Sequence, residues 1–249
     1  TTQDGYGPFL TLNGANIKNL HVTGTITDDS YQSFGGIAGY IGGPSTLTNC
    51  WSSVTLKSTF DLIHGSRIGG IVAGTSSTDN SITTLNMSDC LFDGKLEGTN
   101  NSNSNWSGLV GWIYNTTVNI SNSLFAPASV DINGKLYTIY GNFLTFNESG
   151  STLANLYTTM AGSSSTYTQG TVATSEELAD GTTTANLQNG RSEVIWVQDP
   201  VANQPMLAVF VNAVKLGDVN GDHNIDENDL DVIVKIVMGE TPPGILKQA

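Results

Sequence analysis

One short pattern returns five times along the first two-thirds of this chain and restricts its fold more than any other feature. An apolar residue, a spacer and then Asn or Asp open a strand-like run in NIKNLHVTGTI (16–26), TLTNCWSSVTL (46–56), NMSDCLFDGKL (86–96), NISNSLFAPAS (119–129) and TLANLYTT (152–159). The residues in register are Asn19, Asn49, Asp89, Asn122 and Asn155, with spacings of 30, 40, 33 and 33. A small-residue motif alternates with it: FGGIAG (34–39), IGGIVAG (68–74), WSGLVG (106–111) and a weakened IYGNFL (139–144). No single unit has the apolar surface to bury its own face, so neighbours must stack. Parallel stacking aligns Ile17, Leu47, Met87, Ile120 and Leu153 in one buried column. It also lines up the five Asn and Asp residues at a bend, their amides bonding from rung to rung about 4.8 Å apart. Gly36, Gly70, Gly108 and Gly141 are expected at a tight corner that excludes a Cβ. The fold class expected is all-β: a parallel right-handed β-solenoid over residues 1–173. A small mixed capping segment (174–214) and a short C-terminal loop-helix unit (215–249) follow it.

Composition agrees. Only 12% of residues are charged and 28 are glycine, a profile of strands and turns rather than a helical bundle. The net charge of -13 with two arginines, Arg67 and Arg191, leaves no electrostatic footprint for nucleic acid. No apolar run of about 18 residues occurs, so no membrane-spanning segment is expected. The opening TTQDGYGPF reads as a mature or trimmed chain without a signal peptide. Cys50 and Cys90 are too few for a disulfide scaffold or a closed zinc site. Each follows a ladder residue, so the two thiols should stack side by side on the inner face as buried small hydrophobes. Parallel Cβ vectors make a disulfide between them awkward.

The GGIAG, GGIVAG and SGLVG pattern, paired with strands of the NC and DC type, resembles the repeats called GLUG motifs. That resemblance covers about residues 16–160. It implies a β-solenoid stalk in secreted or surface proteins of bacteria, including gut species, and a role in adhesion. Residues 174–214 break the repeat. Thr174 with Glu177 forms a capping box ahead of a short helix that Gly181 stops, and TTANLQNG makes a second short turn. SEVIWVQDPVANQPMLAVFVNAV then reads as two strands about Asp199-Pro200. This segment resembles the one that follows such repeats, and it should close the last rung, with Trp196 and Phe210 as plug residues.

Near the end, GDVNGDHNIDENDL (217–230) concentrates negative charge just before an apolar run. Numbered from Asp218, the loop places Asp218, Asn220 and Asp222 at positions 1, 3 and 5. Asn224, through its carbonyl, takes position 7, Asp226 position 9 and Asp229 position 12. This is the spacing of a calcium loop, in which hard oxygen ligands converge on one cation. Four Asp carboxylates so close would repel one another without a divalent ion, so Ca2+ is the expected cofactor. The stretch resembles a type I dockerin repeat, which implies one calcium per loop-helix unit and, for a pair of repeats, docking onto a cohesin. Only one copy is present, His223 stands where Gly is usual, and Glu227 and Asn228 replace the small hydroxyl pair common in dockerins. A cohesin-like partner therefore rests on the resemblance alone. At about 100 times its Kd, calcium would stabilise the folded unit by about 2.7 kcal/mol. A site of this strength fits extracellular calcium, and hence a secreted or cell-surface location.

β-Helices also carry polysaccharide lyases and glycoside hydrolases, and glycosidases need paired carboxylates about 5 to 10 Å apart. Acids are sparse in residues 1–173. Asp93 aligns with Thr23, Ser53 and Ala126, so no acidic stack forms, and His21 and His64 have no evident carboxylate partner. The sequence favours a non-enzymatic adhesion or recognition module that binds carbohydrate or a surface protein. A β-helix lyase or hydrolase and a non-binding spacer are the alternatives. Surface aromatics would carry recognition; the candidates are Trp106, Trp112 and Tyr114, together with Tyr31 and Trp51.

Overall fold

The computed structural model describes residues 5–29, 33–59, 67–75, 82–98, 105–132, 141–144, 150–160, 169–211 and 227–238. They form a parallel β-solenoid, as the repeat predicts. One sheet stacks β1 (Gly5–Tyr6), β4 (Ser33–Gly35), β7 (Arg67–Gly69) and β12 (Asn105–Ser107). A second stacks β2 (Phe9–Leu12), β5 (Ala38–Ile41), β8 (Val72–Thr75) and β13 (Val110–Trp112). The third and longest begins with β3 (Asn16–Asp28), β6 (Ser45–Ser58), β9 (Thr83–Ser88), β10 (Leu91–Phe92) and β11 (Lys95–Gly98). It continues through β14 (Thr116–Phe125), β15 (Ser129–Ile132), β16 (Thr152–Thr158) and β17 (Thr171–Val172). Each turn thus runs short strand, corner, short strand, then one long bent strand.

The expected interior column is present residue for residue. Ile17 pairs with Leu47, Leu47 with Met87, Met87 with Ile120 and Ile120 with Leu153. Leu47, Met87 and Ile120 are fully or almost fully buried. The bend follows from Asn19, Asn49, Asp89, Asn122 and Asn155, all left-handed with φ between 47° and 55°. Asn and Asp tolerate that conformation better than other side chains bearing a Cβ, so they mark where the strand can turn its face.

The glycine corner is one of close approach, since none of its glycines has positive φ. A Cβ on Gly36 would strike the Gly70 carbonyl, one on Gly70 the Gly108 carbonyl and the Phe92 ring, and one on Gly108 the Asn142 carbonyl. Phe92 and Phe125 stack at 5.7 Å between centroids and fill the interior beneath this corner. The fourth rung corrects the expected column. Gly141 pairs with Ser107, in the column of Gly35 and Gly69, and Asn142 is the residue beside Gly108. The weakened repeat is therefore shifted by one residue relative to the expected alignment.

After the last rung come α1 (Ser175–Ala179), α2 (Thr182–Gln188) and an antiparallel hairpin of β18 (Trp196–Asp199) and β19 (Gln204–Leu207). The capping box forms as expected. The Glu177 amide donates to Thr174 Oγ1 at 3.1 Å, and the Thr174 amide donates to Glu177 Oε2 at 2.8 Å. Helices α3 (Ala208–Val211) and α4 (Glu227–Val237) complete the described elements. Contacts divide the chain into two compact units, Thr1–Ala208 and Val209–Ala249. Among the described residues, no helix is long and apolar enough to cross a membrane.

Candidate recognition surface

Of the aromatic candidates, Trp106 is corrected by its position. It pairs with Ile68, which pairs with Phe34, and all three side chains are fully buried. Its indole N–H lies buried with no hydrogen-bond partner among the described residues, which fits a space-filling role. The signal was available, because WSG occupies the place of FGG and IGG, and the first residue of each is apolar.

Trp112 and Tyr114 do reach the surface, with buried Ile113 between them. Trp112 pairs with Gly74, whose bare Cα leaves space flanked by the Tyr40 ring and the Arg67 stem. The Arg67 guanidinium lies 5.1 Å from the Trp112 ring centroid, a cation-π contact. Tyr114 is 51% exposed, yet its backbone is held on both sides. Its N–H donates to Thr75 Oγ1 at 2.9 Å, and its carbonyl accepts from Thr75 Oγ1 at 3.2 Å and Thr116 Oγ1 at 3.0 Å. An exposed ring on a backbone fixed in this way loses little freedom on meeting a ligand.

A second polar group appears on the outward face of the long sheet, where the sequence offered no partner for His21. The Ser53 hydroxyl donates to Asp93 Oδ1 at 2.6 Å, and the Trp51 indole N–H donates to the same oxygen at 2.8 Å. His21 Nε2 lies 2.9 Å from Ser53 Oγ, and its ring stacks on Trp51 at 3.9 Å. Because Ser53 spends its proton on Asp93, its oxygen is left to accept from an Nε2–H tautomer of His21. That donor order is the reverse of a histidine taking a proton from a serine nucleophile. Burial lowers the His21 pKa, with the Asp93 charge opposing. Trp51 lies in register with Leu91, and one of its faces is taken by His21, so it presents no open platform. The expected lack of an acidic stack at Asp93 stands. What alignment could not reveal are the diagonal links, from His21 to Ser53 and from Trp51 to Asp93.

The ladder residues are structural, and they form two amide pairs rather than one series. Asn49 Nδ2 donates to Asn19 Oδ1 at 3.2 Å, and Asn155 Nδ2 to Asn122 Oδ1 at 2.8 Å. Asp89, between them, cannot donate, and the buried Asn49 Oδ1 finds no partner among the described residues. Asp89 instead faces the capping segment. Arg191 approaches it with Nη2 at 2.8 Å from Oδ1 and Nη1 at 3.0 Å from Oδ2, and the Trp196 indole N–H donates to Oδ1 at 3.0 Å. Trp196 is 2% exposed, so it is a buried residue of the cap, but it clamps a rung two below the last rather than plugging the final edge. Phe210 is half-buried. Cys50 and Cys90 are free and fully buried on successive rungs, and burial pushes the Cys90 thiol well up.

Asp218, Asn220, Asp222, Asn224 and Asp226 lie outside the described residues, as do Tyr31 and His64. Asp229 falls in the first turn of α4, where the last ligand of a calcium loop enters, although its side chain is outside the described set. Among the described residues, no three His, Cys, Asp or Glu side chains are grouped to hold a metal.

No family model matches the chain, and no curated protein matches it. One solved structure is similar in fold, the crystal structure of "a putative immunoglobulin A1 protease from Bacteroides ovatus", with a TM-score of 0.55 and 18% identity. The match covers 84% of this chain and 65% of that one, so this chain spans about two-thirds of its neighbour's length.

Proposed function

We propose that the chain is a recognition or adhesion module of a secreted or cell-surface bacterial protein, and that its ligand is carbohydrate. The observation that carries this reading is the patch of Tyr114, Trp112 and Arg67: a half-exposed ring on an anchored backbone beside an indole backed by a guanidinium. Sugars offer C–H faces to such rings and hydroxyls to such cations. A surface protein is the second ligand class compatible with the patch. The neighbour from Bacteroides ovatus supports the solenoid fold of this reading and nothing of its ligand or setting.

Within the same reading, the loop of Asp218, Asn220, Asp222, Asn224, Asp226 and Asp229 holds Ca2+. The start of α4 at Glu227 supports it, since position 12 then belongs to the helix, as such loops require. Calcium would supply the charge that lets four carboxylates share one turn. A cohesin-like partner for this dockerin-like repeat is the further expectation of that resemblance.

The test is retention of the chain on plant and host glycan arrays, with calcium and with chelator, while the same mixtures are assayed for new reducing or unsaturated ends. Retention without products, reduced about tenfold or more by Tyr114→Ala, is expected. Products would turn the reading to a polysaccharide-degrading β-helix. Retention unchanged by Tyr114→Ala and Trp112→Ala would remove the patch from it.

A further inference from the structure

We infer that Cys50 and Cys90, stacked on successive rungs inside the solenoid, form a two-sulfur site for one soft metal ion of the Cu(I) class, with the Met87 thioether available as a third donor. Register, reach and the chemistry of the lining favour such an ion over a disulfide or a zinc ion.

Register comes first. Thr48 pairs with Ser88 and Trp51 with Leu91 on either side of the bend, which sets Cys50 against Cys90. Leu20 precedes them in the same interior column, and Ser123 and Leu156 follow. Sulfur therefore stands where the outer members of the column carry leucine. Both cysteines are fully buried, and the Cys90 thiol hydrogen-bonds to the Cys50 sulfur. The backbone also holds each sulfur. Cys50 Sγ lies 3.4 Å from the Thr48 carbonyl oxygen, and Cys90 Sγ 3.4 Å from that of Ser88. Cys90 Sγ also reaches the Leu47 carbonyl oxygen at 3.8 Å, and Leu47 is the residue paired with Met87. Cys50, Met87 and Cys90 thus share one buried cluster whose other members are all carbon side chains or indole.

Reach separates the alternatives. In-register strands lie about 4.8 Å apart and carry their Cβ atoms in parallel. A disulfide wants its Cβ atoms at about 3.8 Å, with their vectors turned toward each other. Two metal–sulfur bonds of about 2.3 Å laid end to end span about 4.6 Å, close to one rung, so a two-coordinate ion asks little movement of the backbone. Chemistry then chooses the ion. Thiolate and thioether sulfur select soft ions such as Cu(I), whereas structural zinc fills four positions with thiolate, imidazole or carboxylate. Among the described residues no third His, Cys, Asp or Glu side chain completes such a set. Asp89, the carboxylate next in sequence to Cys90, is spent on Arg191 and Trp196. A monovalent ion that displaces one thiol proton also leaves the interior neutral, as burial requires. Because both cysteines are closed off from solvent, the ion enters as the rungs assemble.

The test unfolds the full chain in urea without oxygen and refolds it with Cu(I) held by a competing chelator. We expect one Cu(I) retained per chain, an ultraviolet thiolate-to-copper absorption and a higher unfolding midpoint than that of the metal-free chain. Cys50→Ser and Cys90→Ser nearly keep the side-chain size, and each should weaken retention about tenfold or more while amide exchange in β14 matches the parent. Met87→Leu, which conserves volume, should weaken it several-fold. Equal retention by both serine variants, absence of the absorption, or Zn(II) held as tightly as Cu(I) would overturn the proposal. So would a Cys50–Cys90 disulfide, read as a mass loss of two hydrogens, forming in the folded metal-free chain under a glutathione redox buffer. The pair would then be a redox couple and not a metal site.

Discussion

The first and last described rungs of the solenoid leave the same backbone groups to be met, and among the described residues only the last has them met. Every rung must hand its outward N–H and C=O groups to a neighbour. At the corner, Ile37 and Ala38 both donate to the Ile71 carbonyl, Ile71 and Val72 to Leu109, and Leu109 and Val110 to Phe143. The last pair, Phe143 and Leu144, meets no further backbone carbonyl among the described residues and donates to the side-chain oxygen of Gln169 at 2.9 Å each. Gln169 Nε2 returns a bond to the Leu144 carbonyl at 3.0 Å, so one amide side chain imitates the missing backbone. The first-rung end has no such substitute among the described residues, and its inward side chains stay half-exposed. A β-edge is not intrinsically unstable; what matters is whether a local group reproduces the next strand.

The contrast breaks most sharply at the clamp. Arg191→Ala leaves the almost buried Asp89 carboxylate with the Trp196 donor alone. Because Arg191 is itself partly exposed, the loss should sit at the lower end for a broken buried pair, about 3 kcal/mol in urea unfolding. Amide exchange should rise in α1, α2 and β16 while β3 is unchanged; equal loosening of both ends would mean the clamp does not act locally. Gln169→Met keeps the volume and removes the imitation strand, and should cost about 1–3 kcal/mol, with exchange at Phe143 and Leu144 approaching that of an open edge. No change at those two amides would show that water serves them as well.

The smallest effect is a matter of pH at the open end. Burial favours neutral His21, so the unfolded chain takes up more protons on acidification than the folded one. The contribution of His21 is therefore complete above its unfolded pKa of about 6.5 and is lost as pH falls from there through its lower folded pKa. His21→Gln should flatten the pH dependence of β3 exchange between pH 7.5 and 5.5. Parallel slopes for the two proteins would discard the assignment.

Much of this was legible from the residue pattern because a solenoid converts sequence period into spatial register. Ile17, Leu47, Met87, Ile120 and Leu153 had to coincide once the Asn spacing was read, and Thr174 with Glu177 announced its helix. Trp106 was misplaced because a lone tryptophan beside a polar loop suggests a surface, although its repeat position said interior. Gly141 was misplaced because one residue of slippage costs nothing in a motif made of small side chains. The Ser53–Asp93 contact joins residues the period had already aligned, but the diagonal link from Trp51 to Asp93 and the reach of Arg191 across 102 residues to Asp89 depend on side-chain directions that no period encodes. Trp112 and Tyr114 were legible as aromatics, but the anchoring of Tyr114 by Thr75 was not.

Asp89 has one further consequence. A lattice of near-identical rungs is degenerate to translation: a lid fitted to one rung would fit the next almost as well after a one-step slide. A single carboxylate among four amides breaks that degeneracy, since a displaced Arg191 would confront a neutral Asn19, Asn49, Asn122 or Asn155. The unsatisfied Asn49 oxygen is the cost of this index mark, which tells the cap where along a periodic track it must stop.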